Sequence, residues 1–233
     1  MTPTATSPDG RIRFWNCDCM TVMQQHKGWE LSICDPEYGI DAGNMTMGSG
    51  KNKKYNKSDW DKKTPDKAYF DELFKVSENQ IVCGGNYFTD KLPISKGWIF
   101  WDKGINGDCS FADGELFWTS FDTVLRIAPI RYKGFLVADK DRIHITQKPI
   151  ALYRWLLQNY AKKGDRIFDS HGGSMSSAIA CDMEGYELDI CEIDKDYFDA
   201  GYARFMDYYT KKTEIAELGY ARTALSKIHP LLF

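Results

Sequence analysis

The sequence predicts an α/β protein in which helices cover both faces of a mostly parallel sheet. Strand-like and helix-like segments alternate along its 233 residues. Three of the strand candidates are followed at once by an acidic residue, namely Asp35, Asp169 and Glu192. Because ligands of such sheets bind at the carboxyl ends of the strands, we expect these three side chains to face one crevice.

The first half of the chain contains four strand candidates and two helix candidates. The strands are predicted at residues 11–15, 30–34, 80–83 and 98–101. The second strand stops at Asp35-Pro36 and the third at Gly84-Gly85, since proline and glycine interrupt regular structure. The helices are predicted at residues 20–26 and 68–78, where apolar residues recur near helical spacing.

The second half repeats the alternation more regularly. Strands are predicted at residues 116–120, 124–127, 166–168 and 187–191, and helices at residues 150–161, 174–184 and 196–209. Pro149 marks the start of the first of these helices, because proline is favoured at the beginning of a helix. The order helix, strand, helix, strand, helix from residue 150 onward is typical of parallel crossover units.

Length and composition set the limits of this architecture. A chain of 233 residues is expected to form one domain, residues 1–233. No apolar run approaches the roughly 20 residues of a membrane span, so no membrane association is expected. Residues 1–11 form a polar arm that we expect to be frayed, and they lack a signal-peptide core, which predicts a cytoplasmic protein. The seven cysteines have no regular spacing, which predicts neither a disulfide framework nor a metal site.

The net charge is −3, yet basic residues are gathered in two places. Residues 51–67 contain seven lysines against three aspartates. They overlap a Gly-, Asn-, Lys- and Ser-rich stretch, residues 39–66, that we expect to be a mobile loop. A second group consists of Arg126, Arg131, Lys133, Lys140 and Arg142. Both groups are compatible either with solvated loops or with contacts to nucleic-acid phosphates. Tyr55 and Trp60 either pack or stack on a base.

The segment that follows strand 166–168 has the features of a nucleoside pocket. Asp169-Ser-His-Gly-Gly173-Ser174 forms a glycine-containing turn before a helix, where the backbone can approach a ligand. Glu192, after the next strand, is placed to bind ribose hydroxyls. The chain has no Gly-x-Gly-x-x-Gly motif and no Walker lysine here, so S-adenosylmethionine fits better than a dinucleotide or ATP. A purely structural turn is the alternative interpretation.

The tetrapeptide Asp35-Pro36-Glu37-Tyr38 has the residues that an exocyclic amine on a planar ring requires. Such an amine is a weak nucleophile, because its lone pair is delocalised into the ring. The Asp35 carboxylate and the Pro36 carbonyl can accept its two N–H groups, and Tyr38 can stack on the ring. The main task left to the protein is to align the amine with the methyl donor. A capped turn after a strand is the alternative interpretation.

Taken together, these motifs resemble those of amino-group DNA methyltransferases of the permuted (beta) class. The resemblance extends from Asn16 to about Phe205. Asp35–Tyr38 resembles the family's Asp-Pro-Pro-Tyr, and His144–Pro149 resembles His-Pro-Thr-Gln-Lys-Pro. Residues 16–18 resemble Asn-Gly-Asp, residues 169–177 resemble Asp-Pro-Phe-x-Gly-Ser-Gly-Thr-Thr, and residues 192–194 match Glu-Ile-Asp.

The resemblance implies a Rossmann-like methyltransferase fold with a seven-stranded sheet and one antiparallel edge strand. It implies that S-adenosylmethionine is bound by Asp18, Thr146, Lys148, Asp169, Gly173, Ser174 and Glu192. It further implies that Asp35, Pro36 and Tyr38 are catalytic, and that they act on an adenine flipped out of double-stranded DNA. Asp rather than Ser at position 35 favours adenine. The family implies a bacterial or phage-type protein. The apolar tail at residues 228–233 is compatible with a homodimer.

Three residues depart from the family's pattern, namely Glu37, His171 and Met175. They keep alternative functions open: cytosine N4-methylation, RNA-base methylation, or a catalytically weak nucleic-acid-binding protein with the same fold. The expected recognition region, residues 102–142, must also supply strands, which leaves little room for a separate reader domain. We therefore expect a short recognition site or weak sequence specificity.

Overall fold

The computed structural model describes residues 1–42, 60–105, 112–132, 142–144 and 146–228, with side chains up to residue 217. Within these residues the strands are β1 (Ala5–Thr6), β2 (Ile12–Trp15), β3 (Trp29–Cys34), β4 (Ser77–Cys83), β5 (Trp98–Asp102), β6 (Gly114–Thr119), β7 (Arg126–Ala128), β8 (Arg166–Asp169) and β9 (Glu187–Cys191). The helices are α1 (Cys19–Gln25), α2 (Lys67–Val76), α3 (Ile150–Tyr160), α4 (Ser176–Glu184) and α5 (Lys195–Ile228).

The strands form one mixed sheet in the order β1-β2-β9-β8-β3-β4-β6-β5-β7. The five consecutive strands β2, β9, β8, β3 and β4 are parallel. The predicted α/β class with a mostly parallel sheet is therefore confirmed. Their carboxyl ends meet at one edge of the sheet, and the loops that carry the predicted motifs follow these ends.

Two details of the predicted sheet were wrong. The described sheet has nine strands rather than seven, because the short strands β1 and β7 extend it at its two edges. Besides the antiparallel edge strand β1, the sheet has a second reversed strand, β6, which lies between β4 and β5 and is antiparallel to both. The strand predicted at residues 124–127 overlaps β7, whereas the two residues of β1 are too short to show an alternating pattern in the sequence.

The N-terminal arm is ordered instead of frayed. Ala5 and Thr6 pair with Phe14 and Arg13 of β2 in antiparallel register. The hydroxyl of Ser7 also accepts a hydrogen bond from the backbone N–H of Ile12 at 3.0 Å. These bonds pair backbone groups on the outer edge of β2, and they fix the segment that leads to Asp18.

Each face of the sheet carries its own apolar layer. On one face α3, α4 and α5 pack through buried residues such as Leu156, Ile179 and Phe205. On the other face α1 and α2 pack through residues such as Val22 and Phe70. Full burial of a side chain of this size stabilises the fold by about 1.5–3 kcal/mol. The two layers hold the strand ends rigid, which is what a binding site at those ends needs.

The predicted helix boundaries lie within two residues of the observed ones, except at the end of α5. Helix α2 ends at Val76 rather than at residue 78, because Ser77 is already extended and begins β4. Helix α5 runs to Ile228, well beyond the predicted end at residue 209. None of the helices in the described part of the chain is long and apolar enough to cross a membrane. Nor do the described residues contain a group of metal-binding side chains.

Candidate functional site

A cleft lies at the carboxyl ends of β2, β3, β8 and β9. Nine of the ten residues predicted for catalysis or cofactor binding line it: Asp18, Asp35, Pro36, Tyr38, Thr146, Lys148, Gly173, Ser174 and Glu192. The tenth, Asp169, lies beneath the cleft wall with a relative exposure of 1%. Motifs separated by more than a hundred residues in the sequence thus meet in one cavity.

Asp35 directly follows β3, and two donors hold one oxygen of its carboxylate. The ammonium of Lys148 lies 2.5 Å from Oδ1, and the hydroxyl of Tyr38 donates to the same atom at 2.8 Å. No donor among the described residues binds the other oxygen, Oδ2. The carboxylate is therefore fixed in orientation through one oxygen, while the other accepts no hydrogen bond from the described residues.

Glu115 on β6 completes this cluster, although the sequence motifs did not indicate it. Its Oε2 lies 3.3 Å from the Lys148 ammonium, and Lys103 binds its Oε1 at 2.7 Å. Burial alone would raise the pKa of Glu115, but Lys148 and Lys103 outweigh it and lower that pKa to about 2. Burial likewise disfavours the charge on Lys148, yet Asp35 and Glu115 raise the pKa of its ammonium. Lys148 and Glu115 are therefore charged at neutral pH.

The ring of Tyr38 is held between the strand ends and a short 3-10 helix, Gly85–Tyr87. It stacks on Tyr87 with ring centroids 4.8 Å apart and an angle of 14° between the planes. Gly84 has a left-handed backbone with φ of 66°, and a Cβ added there would lie 2.2 Å from the Tyr38 ring. A glycine is thus required at this position for Tyr38 to reach Asp35.

The turn after β8 and the carboxylate of Glu192 face each other across the predicted cofactor side. Glu192 Oε2 accepts the backbone N–H of Gly173 at 2.7 Å, and Oε1 accepts the N–H of Asp194 at 2.8 Å. Burial raises the pKa of Glu192. This carboxylate has acceptor capacity beyond these two bonds. It can therefore bind ribose hydroxyls while it holds the glycine turn in place.

Asp169 supports this turn from below instead of lining the cleft. Its Oδ1 accepts the N–H of His171 at 3.0 Å, and Oδ2 accepts the Ser177 hydroxyl at 2.5 Å. Burial raises the pKa of Asp169 to about 7 despite these hydrogen bonds. Met175, where the family pattern has glycine, keeps a left-handed backbone with φ of 57°. The turn thus has the conformation that glycine favours, with a buried side chain in its place.

Aromatic rings form the wall between the cofactor turn and residues 142–148. The ring of His144 lies 4.2 Å from that of Tyr197 and 5.3 Å from that of Trp60, measured between centroids. Burial and the charges of Lys148 and Arg142 lower the pKa of His144 to about 4, so this ring is neutral at physiological pH. Thr146 donates its backbone N–H to Nδ1 of His144 at 3.3 Å. No sequence motif had indicated Tyr197 as a site residue.

Asp18 follows β2, lines the cleft and caps α1. Its Oδ1 accepts the N–H of Met20 at 2.9 Å. Its other oxygen accepts no hydrogen bond from the part of the chain that the structure describes. The six described cysteines are free thiols, and Cys17 and Cys19 flank Asp18 in the cleft wall.

The predicted basic surfaces are described only in part. Most of the lysine-rich loop, residues 43–59, and the second group's Lys133 and Lys140 lie outside the described residues. The two ends of the loop are joined through Asp61, whose carboxylate accepts the N–H groups of Gly39 and Ala42. Within the second group, Arg126 and Arg131 are exposed. Arg142 is buried and donates to the carbonyl of His144 at 3.1 Å, so it contributes to the site wall.

The chain is similar to known proteins both in sequence and in fold. The sequence model of the DNA methylase family N6_N4_Mtase matches residues 47–203, more than half of the chain. The solved M1.HpyAVI–SAM complex is similar to this fold with a TM-score of 0.56 at 15% identity, and covers 83% of this chain and 99% of its own.

A second solved structure extends the likeness. The cytosine-N4-specific PvuII DNA methyltransferase has a TM-score of 0.55 at 14% identity, and the match covers 86% of this chain and 87% of that one. At such low identity these two structures establish the fold alone. No curated protein sequence matches the chain.

Proposed function

The chain belongs to the N6/N4 DNA methylase family, and from this premise we propose that it transfers a methyl group from S-adenosylmethionine to the N6 amine of adenine in DNA. The observation that carries the proposal is the state of Asp35, whose Oδ1 binds Lys148 and Tyr38 while Oδ2 has no described donor. A rigid carboxylate with one free oxygen is suited to orient an amine.

A second acceptor lies beside this carboxylate. No described backbone donor binds the carbonyl of Pro36, the residue that follows Asp35 in the cleft wall. Together the free Asp35 oxygen and the Pro36 carbonyl can accept the two N–H groups of one exocyclic amine. This arrangement directs the nitrogen lone pair out of the ring plane and toward a methyl donor, as nucleophilic attack requires.

The cofactor, when bound, supplies a methyl group on a positively charged sulfur. We assign direct contacts with it to Asp18, Thr146, Gly173, Ser174 and Glu192, which line the same cleft as Asp35. The other two residues predicted to bind the cofactor, Lys148 and Asp169, have supporting roles in this arrangement. Lys148 orients Asp35, and Asp169 shapes the turn through His171 and Ser177.

The depth of Asp35 supports a flipped target base. Its side chain is only 16% exposed, and Tyr38 and Lys148 surround it. A base that stays stacked in a duplex cannot bring its amine to a carboxylate recessed in this way, so the base has to leave the helix. Tyr38 already stacks on Tyr87, and we assign it to the wall of the base pocket.

The preference for adenine rests on resemblance, since aspartate rather than serine stands at position 35. Cytosine N4-methylation is the alternative, and it uses the same two acceptors. The deciding test incubates the protein with tritiated S-adenosylmethionine and unmethylated DNA, then digests the DNA to nucleosides. We expect the label in N6-methyl-2′-deoxyadenosine. Label in N4-methyl-2′-deoxycytidine would move the assignment to cytosine, and labelling of RNA but not of DNA in a parallel reaction would overturn the DNA substrate.

Substitution of Asp35 tests the chemistry itself. We expect Asp35→Ala to lower turnover at least about 100-fold, as loss of a group acting on the nucleophile does. Titration calorimetry with S-adenosylmethionine should find nearly unchanged affinity. Asp71→Asn is the matched control, because Asp71 is a half-exposed acid on α2 whose partner is Lys67. Near wild-type turnover in Asp35→Ala would contradict the mechanism.

A further inference from the structure

Two of the residues that depart from the family's motifs contact each other. Glu37 belongs to the loop after β3, the substrate loop (residues 35–38), and His171 belongs to the loop after β8, the cofactor loop (residues 169–174). Oε2 of Glu37 lies 3.4 Å from Nε2 of His171. Both residues line the cleft. The pair therefore links the loop that carries Asp35 to the loop that carries Gly173.

The orientation of His171 is fixed from behind by a chain of hydroxyl groups. Its Nδ1 is 2.7 Å from the hydroxyl of Ser170, which in turn is 2.7 Å from the hydroxyl of Tyr69. Tyr69 is buried on α2 and packs edge-on against the His171 ring, with centroids 5.4 Å apart. Since Nδ1 is engaged in this way, Nε2 is the nitrogen that faces Glu37.

The charges around the pair keep it ionised at neutral pH. Burial alone would lower the pKa of His171, but Glu37, Asp169 and Glu192 outweigh it and raise that pKa to about 9. Burial alone would raise the pKa of Glu37, but the neighbouring His171 lowers it. The remaining polar neighbours, the hydroxyls of Ser170 and Tyr69, carry no charge at this pH. A cation and an anion thus face each other across the two loops.

We propose that Glu37 and His171 are positioning residues that couple cofactor binding to the arrangement of the substrate loop. The inference rests on the proposed cofactor site, because a ligand against Gly173 orders the loop that also carries His171. His171 then restrains Glu37, which lies between Pro36 and Tyr38. Cofactor binding in this way sets the two amine acceptors before a base enters the cleft.

Hydrogen exchange measured with and without S-adenosylhomocysteine tests this coupling without any methyl transfer. In the wild-type protein we expect the ligand to slow exchange in peptides covering residues 170–174 and also residues 34–42. In Glu37→Gln, in His171→Gln and in the double variant, the first peptide should keep its protection. The protection of the second should fall about fivefold or more, the lower range of coupling between sites.

The outcomes separate the inference from the proposed function. Because the two residues act as one unit, the double variant should lose no more protection at residues 34–42 than either single variant. If the ligand protects residues 170–174 but not residues 34–42 in the wild-type protein, the proposed coupling is overturned. The proposed cofactor site is not affected by that result. Full protection at 34–42 in the variants would also overturn the coupling. Protection of neither segment in the wild-type protein would overturn the cofactor site as well.

A purely structural role predicts a different pattern. In that case exchange of the ligand-free variants would rise throughout both loops, with no selective loss of ligand-dependent protection. Equal ligand-free exchange in wild type and Glu37→Gln, combined with loss of the ligand effect at residues 34–42, is the result that supports positioning. Glu37→Asp, which keeps the charge, should restore part of the effect.

Discussion

The ammonium of Lys148 lies 2.5 Å from Oδ1 of Asp35, although the two residues are 113 positions apart in the chain. Lys148 was expected to contact the cofactor, and Asp35 was expected to act on the substrate amine. Their contact joins the two halves of the site, so that the His144–Pro149 motif orients the catalytic carboxylate. It also explains why one Asp35 oxygen is occupied before any substrate arrives.

The first prediction concerns Lys148→Met. Removing one partner of a buried ion pair leaves the carboxylate of Asp35 without its cation, whereas Glu115 keeps Lys103, and such a loss costs about 3–5 kcal/mol. For a protein of this size, that corresponds to a fall of roughly 6–20 °C in melting temperature. Methyl transfer should fall as well, because Asp35 loses the donor that fixes it. Thermal unfolding and turnover of the purified variant measure the two effects.

Lys103→Met is the matched control for this prediction. Lys103 binds the same Glu115, through Oε1 at 2.7 Å, but no bond joins it to Asp35. We therefore expect a smaller loss of stability and a turnover close to that of the wild-type protein. If both variants lost turnover equally, the effect of Lys148 would come from Glu115 and not from its contact with Asp35.

Sequence patterns predicted the site residues that belong to short motifs at the ends of strands. Asp35, Gly173 and Glu192 each follow a strand, so their common location could be inferred from the alternation of elements. Glu115 could not be found in this way, because a single glutamate within a strand has no distinguishing signal. Its role depends on β6 lying beside β4, a pairing that only the folded sheet establishes.

The contact between Glu37 and His171 illustrates the same limit. Each residue was visible in the sequence as a departure from a motif. That they face each other depends on β3 and β8 being neighbours in the sheet and on Tyr69 of α2 packing behind the ring. Pairing between distant segments is set by tertiary packing, which local spacing does not encode.

A second prediction concerns Glu192→Gln. A charged acceptor that binds a ligand hydroxyl contributes about 1.5–3 kcal/mol, so the affinity for S-adenosylmethionine should fall about 10- to 100-fold. The glutamine oxygen can still accept one of the two N–H groups that Glu192 now binds. Isothermal titration measures the change. Glu187→Gln, on the exposed start of the same strand, should bind as the wild-type protein does, and unchanged affinity in Glu192→Gln would remove it from the ribose site.

A third prediction concerns the pH dependence of stability. The pKa of His171 is raised from the ordinary 6.5 to about 9, so its stabilising contribution is complete below pH 6.5 and is lost as pH rises through 9. The lowered pKa of Glu37 makes its contribution present above pH 4.5 and lost as pH falls below its native value. The difference in melting temperature between wild type and His171→Gln should be largest between about pH 5 and 6.5.

The measurement for this third prediction is a series of thermal unfolding curves from pH 5 to 10. Glu37→Gln should change the profile in the same direction but by less, because Asp169 and Glu192 still raise the pKa of His171 in that variant. A difference from wild type that stays constant up to pH 10 would mean that His171 stabilises the fold through ring packing on Tyr69 alone.

The last prediction concerns sequence selectivity. Residues 102–142 supply β6 and β7, and the described remainder of this region consists of short connecting segments. A separate reader domain needs at least about 50 residues to form its own core. Discrimination then depends on a few loop side chains, and each good bidentate base contact is worth about 1–3 kcal/mol. Two or three such contacts select a site of about four base pairs or fewer. The recognition site is measured by mapping the methylated bases on a plasmid treated with the purified protein. Strict recognition of six base pairs by the protein alone, with no partner subunit, would contradict the prediction.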